Sequence, residues 1–226
     1  MQFKNRIQAG KLLAEKLTKL KLNFNKKSTI VIALPRGGVP VGNQIAMALD
    51  LPLDILLIKK IGSPSYPELA IGTVSENNEE IFNHDLVKEL GLKRSELDPI
   101  KERALIKLQE IAHTLRNDHL PTKLQGKDII LVDDGIDSGA TIKAAILILK
   151  QRNVKKIIVA VPVTSSGVVL EIKKLADQLC FLESHEPIYT IGEWYEDFLQ
   201  VDSEEVQKIL SQHGFKKPKH QEVGIL

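Results

Sequence analysis

Cysteine is almost missing from this chain: Cys180 is the only one in 226 residues. A single thiol cannot close an internal disulfide, and alone it cannot make a zinc site. Aromatic side chains are also scarce, at 4%, which weighs against a protein that reads RNA or single strands by stacking bases. Nor is there an excess of one charge, with Lys+Arg 31 against Asp+Glu 29 and a formal net charge of +2. A dedicated nucleic-acid binder normally carries a clustered basic excess, so no nucleic-acid partner is expected. No uncharged apolar run approaches the roughly 18–20 residues that span a bilayer. Met1-Gln2-Phe3-Lys4-Asn5-Arg6 also lacks the apolar stretch and small-residue cleavage site of a leader. These absences lead to the expectation of a cytoplasmic protein with no membrane partner. Length is not lacking. At roughly 100–200 residues per domain, 226 residues suit one α/β domain whose core needs no staples.

What is present is an alternation of two periodicities. Phe3, Ile7, Leu13, Leu17 and Leu20 recur at helical spacing, so residues 4–21 read as an amphipathic helix. Thr29 to Leu34 is a short β-branched run stopped by Pro35, the pattern of a strand buried on both faces of a parallel sheet. A helix from Val39 to Leu49 and a second apolar run from Leu53 to Ile58 follow. Two prolines and a glycine in 61–68 exclude regular structure there. Ala70 to Ser75 and Glu80 to Asn83 read as a hairpin around Glu76-Asn77-Asn78-Glu79, and Ser95 to Asn117 as a long helix with one apolar stripe. His84 falls near a helix start. Further strands are expected at Asp128–Asp133, Lys156–Val163 and Gln178–Leu182, separated by helices at 139–152 and about 166–176. Strand–helix alternation predicts a doubly wound, mostly parallel sheet flanked by helices. The whole chain, 1–226, reads as one domain: a core about 22–183, the N-terminal helix 4–21, a helical insertion at 84–119, and a C-terminal hood about 184–213.

The chemistry is concentrated in Ile129-Ile130-Leu131-Val132-Asp133-Asp134-Gly135-Ile136-Asp137-Ser138-Gly139-Ala140-Thr141. Two adjacent carboxylates leave the end of a hydrophobic strand, a small hydroxyl-bearing loop follows, and a helix opens. Ligands of open parallel sheets sit at the carboxyl ends of strands. The loop Asp137 to Thr141 can aim backbone N–H groups, two hydroxyls and a helix N-terminus at one phosphate. Asp133 and Asp134 would repel that phosphate, but they suit vicinal hydroxyls one sugar ring away. The joint reading is a cradle for ribose 5-phosphate. A nucleoside-triphosphate loop is excluded because no lysine follows the glycine, and no G-x-G-x-x-G is present. The bland alternative, two acids ending a strand and capping a turn, does not account for the apolar strand before them or the loop after them.

Ile129 to Thr141 resembles the phosphoribosyl-pyrophosphate signature of the type I phosphoribosyltransferases, with Gly135 where that signature usually has an apolar residue. Other stretches resemble one subgroup of predicted phosphoribosyltransferases with unassigned acceptor: Phe3 to Gly10, Leu34-Pro35-Arg36-Gly37-Gly38-Val39-Pro40, Lys60-Ile61-Gly62 through Pro67 to Gly72, and Trp194-Tyr195-Glu196-Asp197-Phe198. The resemblance covers most of the chain. It implies the type I fold, phosphoribosyl pyrophosphate as donor, a small nitrogenous acceptor, and Mg2+ bound through the donor pyrophosphate and water. It implies that Asp133 and Asp134 hold the ribose hydroxyls and that Ser138, Gly139, Ala140 and Thr141 hold the 5-phosphate with Asp137. Arg36, Gly37 and Gly38 would hold pyrophosphate; glycines permit close approach, and Arg36 can bind phosphate oxygens bidentately. Lys59 and Lys60 would belong to a region, 59–75, that closes over the reacting centre. Asp137 matches the aspartate with which 6-oxopurine enzymes exchange a proton with the base. It points to a purine-like acceptor with Asp137 as general base, although phosphoribosyl-pyrophosphate synthetases carry an aspartate there too.

Several residues keep two readings. Lys59 and Lys60 also make sense as a solvated pair, and Glu68 as a partner for a lysine. Trp194 could stack on a planar acceptor in the hood or serve as packing. Cys180 reads as a small buried hydrophobe. His113 and His119 do not share a helix face as metal ligands would, and the basic stretch Lys216 to His220 reads as a solvated tail. The apolar faces of 4–21 and 95–117 suit either core or a homodimer interface. Two other functions compete: a non-catalytic regulator that keeps the donor site as a sensor, and a phosphotransfer receiver. The receiver needs its acids after the first strand, where this chain has Arg36 and glycines.

Overall fold

The structure is a computed structural model and describes residues 2–20, 22–117 and 119–213. In chain order its elements are α1 (Arg6–Lys19), β1 (Thr29–Ala33), α2 (Gly38–Leu49), β2 (Leu53–Ile55), β3 (Ile58–Gly62), β4 (Ala70–Ser75), β5 (Glu80–Phe82), α3 (His84–Glu89), α4 (Arg94–Arg116), β6 (Asp128–Val132), α5 (Ala140–Gln151), β7 (Lys156–Ser165), α6 (Ser166–Leu175), β8 (Gln178–His185) and α7 (Ser203–Gln212), with a 3-10 turn at Ile191–Trp194. Five strands form a parallel sheet in the order β2-β1-β6-β7-β8, and β3, β4 and β5 form a separate antiparallel sheet. The parallel sheet is the predicted doubly wound one. Its alternate residues face opposite layers, as the pleat requires. Val31, Ala33, Ile130 and Val132 join α1 and α2 in one core cluster. Ile30, Ile32, Ile129 and Leu131 join α5 and α6 in the other. That two-sided burial is why these strands read as continuous apolar runs rather than alternating ones.

The N-terminal stretch has a physical account. Phe3 is wholly buried, and the Asn5 side chain accepts from the Gln8 amide, capping α1. Arg6 is thereby the first helical residue. Gly10 lets α1 lie against α2: a Cβ there would stand 2.9 Å from both Gln44 Cβ and the Val41 carbonyl oxygen.

The second apolar run is not one strand. It splits into β2, in the parallel sheet, and β3, which opens the antiparallel one. Leu56 still donates to the Ala33 carbonyl at 3.1 Å. Leu57 then turns away, its amide on Glu76 Oε1 at 3.3 Å and its carbonyl accepting the Glu76 amide at 3.1 Å. Leu56 and Leu57 are both buried, on opposite sides of the chain, so hydrophobicity alone could not mark the break. The irregular stretch is also shorter than expected, because Ile61 and Gly62 complete β3.

The antiparallel sheet is fastened to the core by Arg116, which is 4% exposed. Its guanidinium reaches Asp54 Oδ1 at 2.7 Å in β2, Glu76 Oε2 at 2.5 Å beyond β4, and the Ile55 carbonyl at 2.6 Å. At the chain's far end, Val206, Ile209 and Leu210 put α7 into the core cluster shared with α2 and α4. Among the described residues, no helix is long and apolar enough to cross a membrane. Lys216 to His220 lie outside the described residues.

Candidate active site

In the order β2-β1-β6-β7-β8 the chain reverses direction of progression between β1 and β6. A crevice opens outside the carboxyl ends of strands at such a switch point. β1 delivers Pro35 to Gly38 there, and β6 delivers Asp133 and Asp134. The two segments stay paired past the ladder, with the Leu34 amide donating to the Val132 carbonyl at 2.9 Å. The Pro35–Arg36 peptide is cis. Arg36 is exposed, with no ion-pair partner among the described residues. Both α2 and α5 begin at this crevice, neither with an acid in its first turn, so two partial positive charges face it.

The two segments are pressed together. A Cβ on Gly37 would stand 1.9 Å from Asp134 Oδ2, and one on Gly38 2.9 Å from Asp133 Cα. Only glycine lets the Arg36-Gly37-Gly38 backbone lie against the acidic pair. Asp134 is already engaged: Arg6 Nε donates to its Oδ2 at 2.8 Å, and the Tyr195 hydroxyl donates to its backbone carbonyl at 2.6 Å. The same guanidinium donates to the Leu199 carbonyl at 2.8 Å and lies 3.7 Å over the Phe198 ring. Asp133 Oδ1 accepts the Asp134 amide at 2.9 Å. Burial and the adjoining Asp134 carboxylate push the Asp133 carboxyl well above the usual carboxylate range. Burial and the same neighbouring charge push the Tyr195 phenol up, which keeps it a donor.

Asp137, Ser138, Ala140 and Thr141 are exposed along the loop into α5. Gly139 takes φ 72° at the N-cap of α5, a left-handed conformation that favours glycine. Asp137 Oδ1 accepts the Ser138 amide at 2.5 Å and its hydroxyl at 3.2 Å. Lys60 on β3 and Thr141 are among the residues lining a cavity of about 530 Å³. Ile71, Ile81, and Ala144 and Leu147 of α5 supply apolar lining.

Arg36, Gly37 and Gly38 therefore meet Asp133 and Asp134, and Lys60 shares the cavity lining with Ala140 and Thr141 at the end of the loop. Lys59 is not among the residues lining that cavity; in an extended strand, neighbouring side chains point to opposite faces. Glu68 is exposed, with no ion pair among the described residues. Trp194 stacks on His185, ring centroids 4.2 Å apart, and its Nε1 is buried without a hydrogen-bond partner among the described residues. Cys180 is buried in β8, and burial pushes its thiol up. Arg6 and Tyr195 reach Asp134, with Phe198 packed against both, although sequence reasoning gave them no role. The available signal was that Phe3 to Gly10 and Trp194 to Phe198 both carry the family resemblance, far apart in the chain.

The phosphoribosyl transferase domain family matches residues 2–186, and the chain belongs to that family. A curated Mycobacterium tuberculosis (strain ATCC 25618 / H37Rv) protein, "Putative phosphoribosyl transferase Rv0571c", is 35% identical over 208 residues. That match takes in 92% of this chain but 46% of the relative, so the chain spans about half the length of the curated relatives it matches. Among solved structures, TT1426 from Thermus thermophilus superposes with a TM-score of 0.82 at 34% identity, over 94% of this chain and 99% of that one. AQ2163 from Aquifex aeolicus, at TM-score 0.51 and 11% identity over 83% of this chain and 78% of its own, shares the fold alone.

Proposed function

We propose that the chain is a pentosyltransferase that takes phosphoribosyl pyrophosphate as donor and displaces pyrophosphate with a nitrogenous, purine-like acceptor. The observation that carries this reading is the meeting of Asp133 and Asp134 with Arg36-Gly37-Gly38 at the switch point, beside an exposed anion loop at 137–141. The loop and the α5 N-terminus would take the 5-phosphate. The acidic pair would hold the ribose hydroxyls. Arg36 and the glycine backbone would take pyrophosphate.

The C1–oxygen bond to pyrophosphate breaks with its electron pair leaving on the phosphate oxygen, and the acceptor nitrogen forms the new bond to C1. The proton lost by that nitrogen goes to Asp137, an exposed carboxylate whose hydrogen bonds to Ser138 can open when acceptor binds. The cation-like C1 centre is offset by the nearby carboxylates, and Lys60 neutralises the departing pyrophosphate. Mg2+ supplies further charge neutralisation to the leaving group when bound.

Calorimetric titration of phosphoribosyl pyrophosphate with Mg2+ tests the reading, on the wild type and on Asp133→Asn/Asp134→Asn. Binding by the wild type that the double variant loses is expected. Omitting Mg2+ should weaken it. Pyrophosphate release is then screened over purine, pyrimidine and other nitrogen acceptors. Turnover with any of them establishes the transferase, while donor binding with release on none leaves a donor sensor. A wild type that fails to bind at millimolar donor overturns the reading.

A further inference from the structure

The two acids of the Asp133-Asp134 pair stand in different surroundings, and the difference is made by the two ends of the chain. Asp134 is enclosed on three sides. Arg6 holds its Oδ2 at 2.8 Å, Tyr195 holds its backbone carbonyl at 2.6 Å, and Gly37 lies so close that a Cβ would collide with the carboxylate. Side-chain exposure is only 11% for Arg6 and 14% for Asp134. Arg6 is itself fixed by the Leu199 carbonyl and the Phe198 ring, which in turn stacks on Tyr195 at 5.0 Å between centroids. Asn5 caps α1 and sets where Arg6 emerges. Its Oδ2 is thereby fixed beside Gly37. Asp133 lies alongside, its Oδ1 accepting the Asp134 amide at 2.9 Å.

We infer that Arg6 is a positioning residue that holds Asp134 as a fixed buttress behind Gly37, so that Asp134 shapes the pyrophosphate loop in addition to facing the ribose with Asp133. This rests on the donor reading above. Aimed by Arg6, the Asp134 carboxylate backs the Gly37 peptide and keeps the Arg36-Gly37-Gly38 turn in the shape that α2 continues. Without Arg6 that carboxylate is free to swing toward the incoming pyrophosphate and repel it.

The test separates the donor into halves. Mg2+-pyrophosphate and ribose 5-phosphate are titrated by calorimetry into wild type, Arg6→Met, Arg6→Lys and Asp133→Asn, with thermal melts to verify folding. Arg6→Met should raise the Kd for pyrophosphate about tenfold while changing that for ribose 5-phosphate far less. Asp133→Asn should do the reverse. Arg6→Lys restores the charge but not the Leu199 bond or the stack on Phe198, and should recover part of the loss; it carries the test if Arg6→Met does not fold. In an Asp134→Asn background, Arg6→Met should add less than about twofold, because residues that act through one another are not additive. Equal weakening of both half-ligands, no weakening, or full additivity with Asp134→Asn overturns the role of Arg6. A wild type that binds neither the intact donor nor its halves overturns the donor reading instead.

Discussion

At the level of single side chains, Asp133 and Asp137 differ in a way that two measurements can resolve. Burial and the Asp134 carboxylate hold the Asp133 carboxyl well above its unfolded value, which is about 3.9. Folding therefore takes up a proton there. That stability is fully present below the unfolded value and is lost as pH rises through the raised folded one. Asp133→Asn mimics the protonated form, so its melting temperature should match wild type near pH 3.5 and exceed it at pH 8. A difference that stays constant over that range would refute the account. Asp137 is exposed, and among the described residues its side chain bonds only to Ser138. Asp137→Asn should lower turnover by about 10²–10⁴-fold while leaving donor affinity nearly unchanged, read by pyrophosphate release against calorimetry. Most of this site was legible in sequence because the acids, the loop and the glycines each lie in one short motif at a strand end. Arg6 and Tyr195 were not: their partner Asp134 is more than a hundred residues from one and about sixty from the other, and no periodicity encodes such a contact.

Among the elements, the parallel strands and their helices were legible because burial on both faces leaves a continuous apolar run. The misread elements fail for definite reasons. Leu53 to Ile58 reads as one strand because Leu56 and Leu57, where the chain leaves one sheet for another, are as apolar as their neighbours. β7 and β8 outrun their expected ends because Thr164-Ser165 and Glu183-Ser184-His185 are polar yet stay paired, with Ile136 bridging to Thr164 on the other side. Pro162 is tolerated in β7 because the ladder to β6 stops at Ala160. The attachment of the antiparallel sheet was equally hidden, since it depends on Arg116 at the end of α4 meeting Asp54 and Glu76. Removing one partner of a buried charge network leaves the others stranded, at a cost of about 3–5 kcal/mol. Arg116→Met should therefore lower the urea midpoint by that equivalent at unchanged slope. A loss below about 1 kcal/mol would mean the network is worth no more than a surface pair.

For the molecule as a whole, the switch point gathers the candidate donor site, and the antiparallel sheet stands across a cavity from the first turns of α5. That sheet is held by charged contacts at one end and by packing on α4 along its length, where Ile61 and Ile71 are buried in the core cluster. At its 76–79 turn, Arg152 Nε reaches Glu79 Oε1 at 2.9 Å and Arg116 reaches Glu76, while Gln151 Nε2 donates to the Glu80 carbonyl at 3.2 Å. At the other end, residues 64–69 are exposed, and the cavity of about 530 Å³ separates β3 and β4 from the first turns of α5. Rocking of that sheet onto α5 would close the cavity and bring Lys60 toward Thr141. Negative charge on the 5-phosphate and pyrophosphate would draw that lysine inward and shut water out of the centre. Saturating phosphoribosyl pyrophosphate with Mg2+ should then slow amide hydrogen exchange in 63–69 and 137–141, and leave α7 unchanged because none of its residues lines the cavity. Lys60→Ala should keep the slowing at 137–141, which comes from direct contact with ligand, and lose it at 63–69. Slowing at 63–69 that survives Lys60→Ala would assign the closure to some other attraction, and slowing spread evenly through α7 would replace a rocking sheet with global stabilisation.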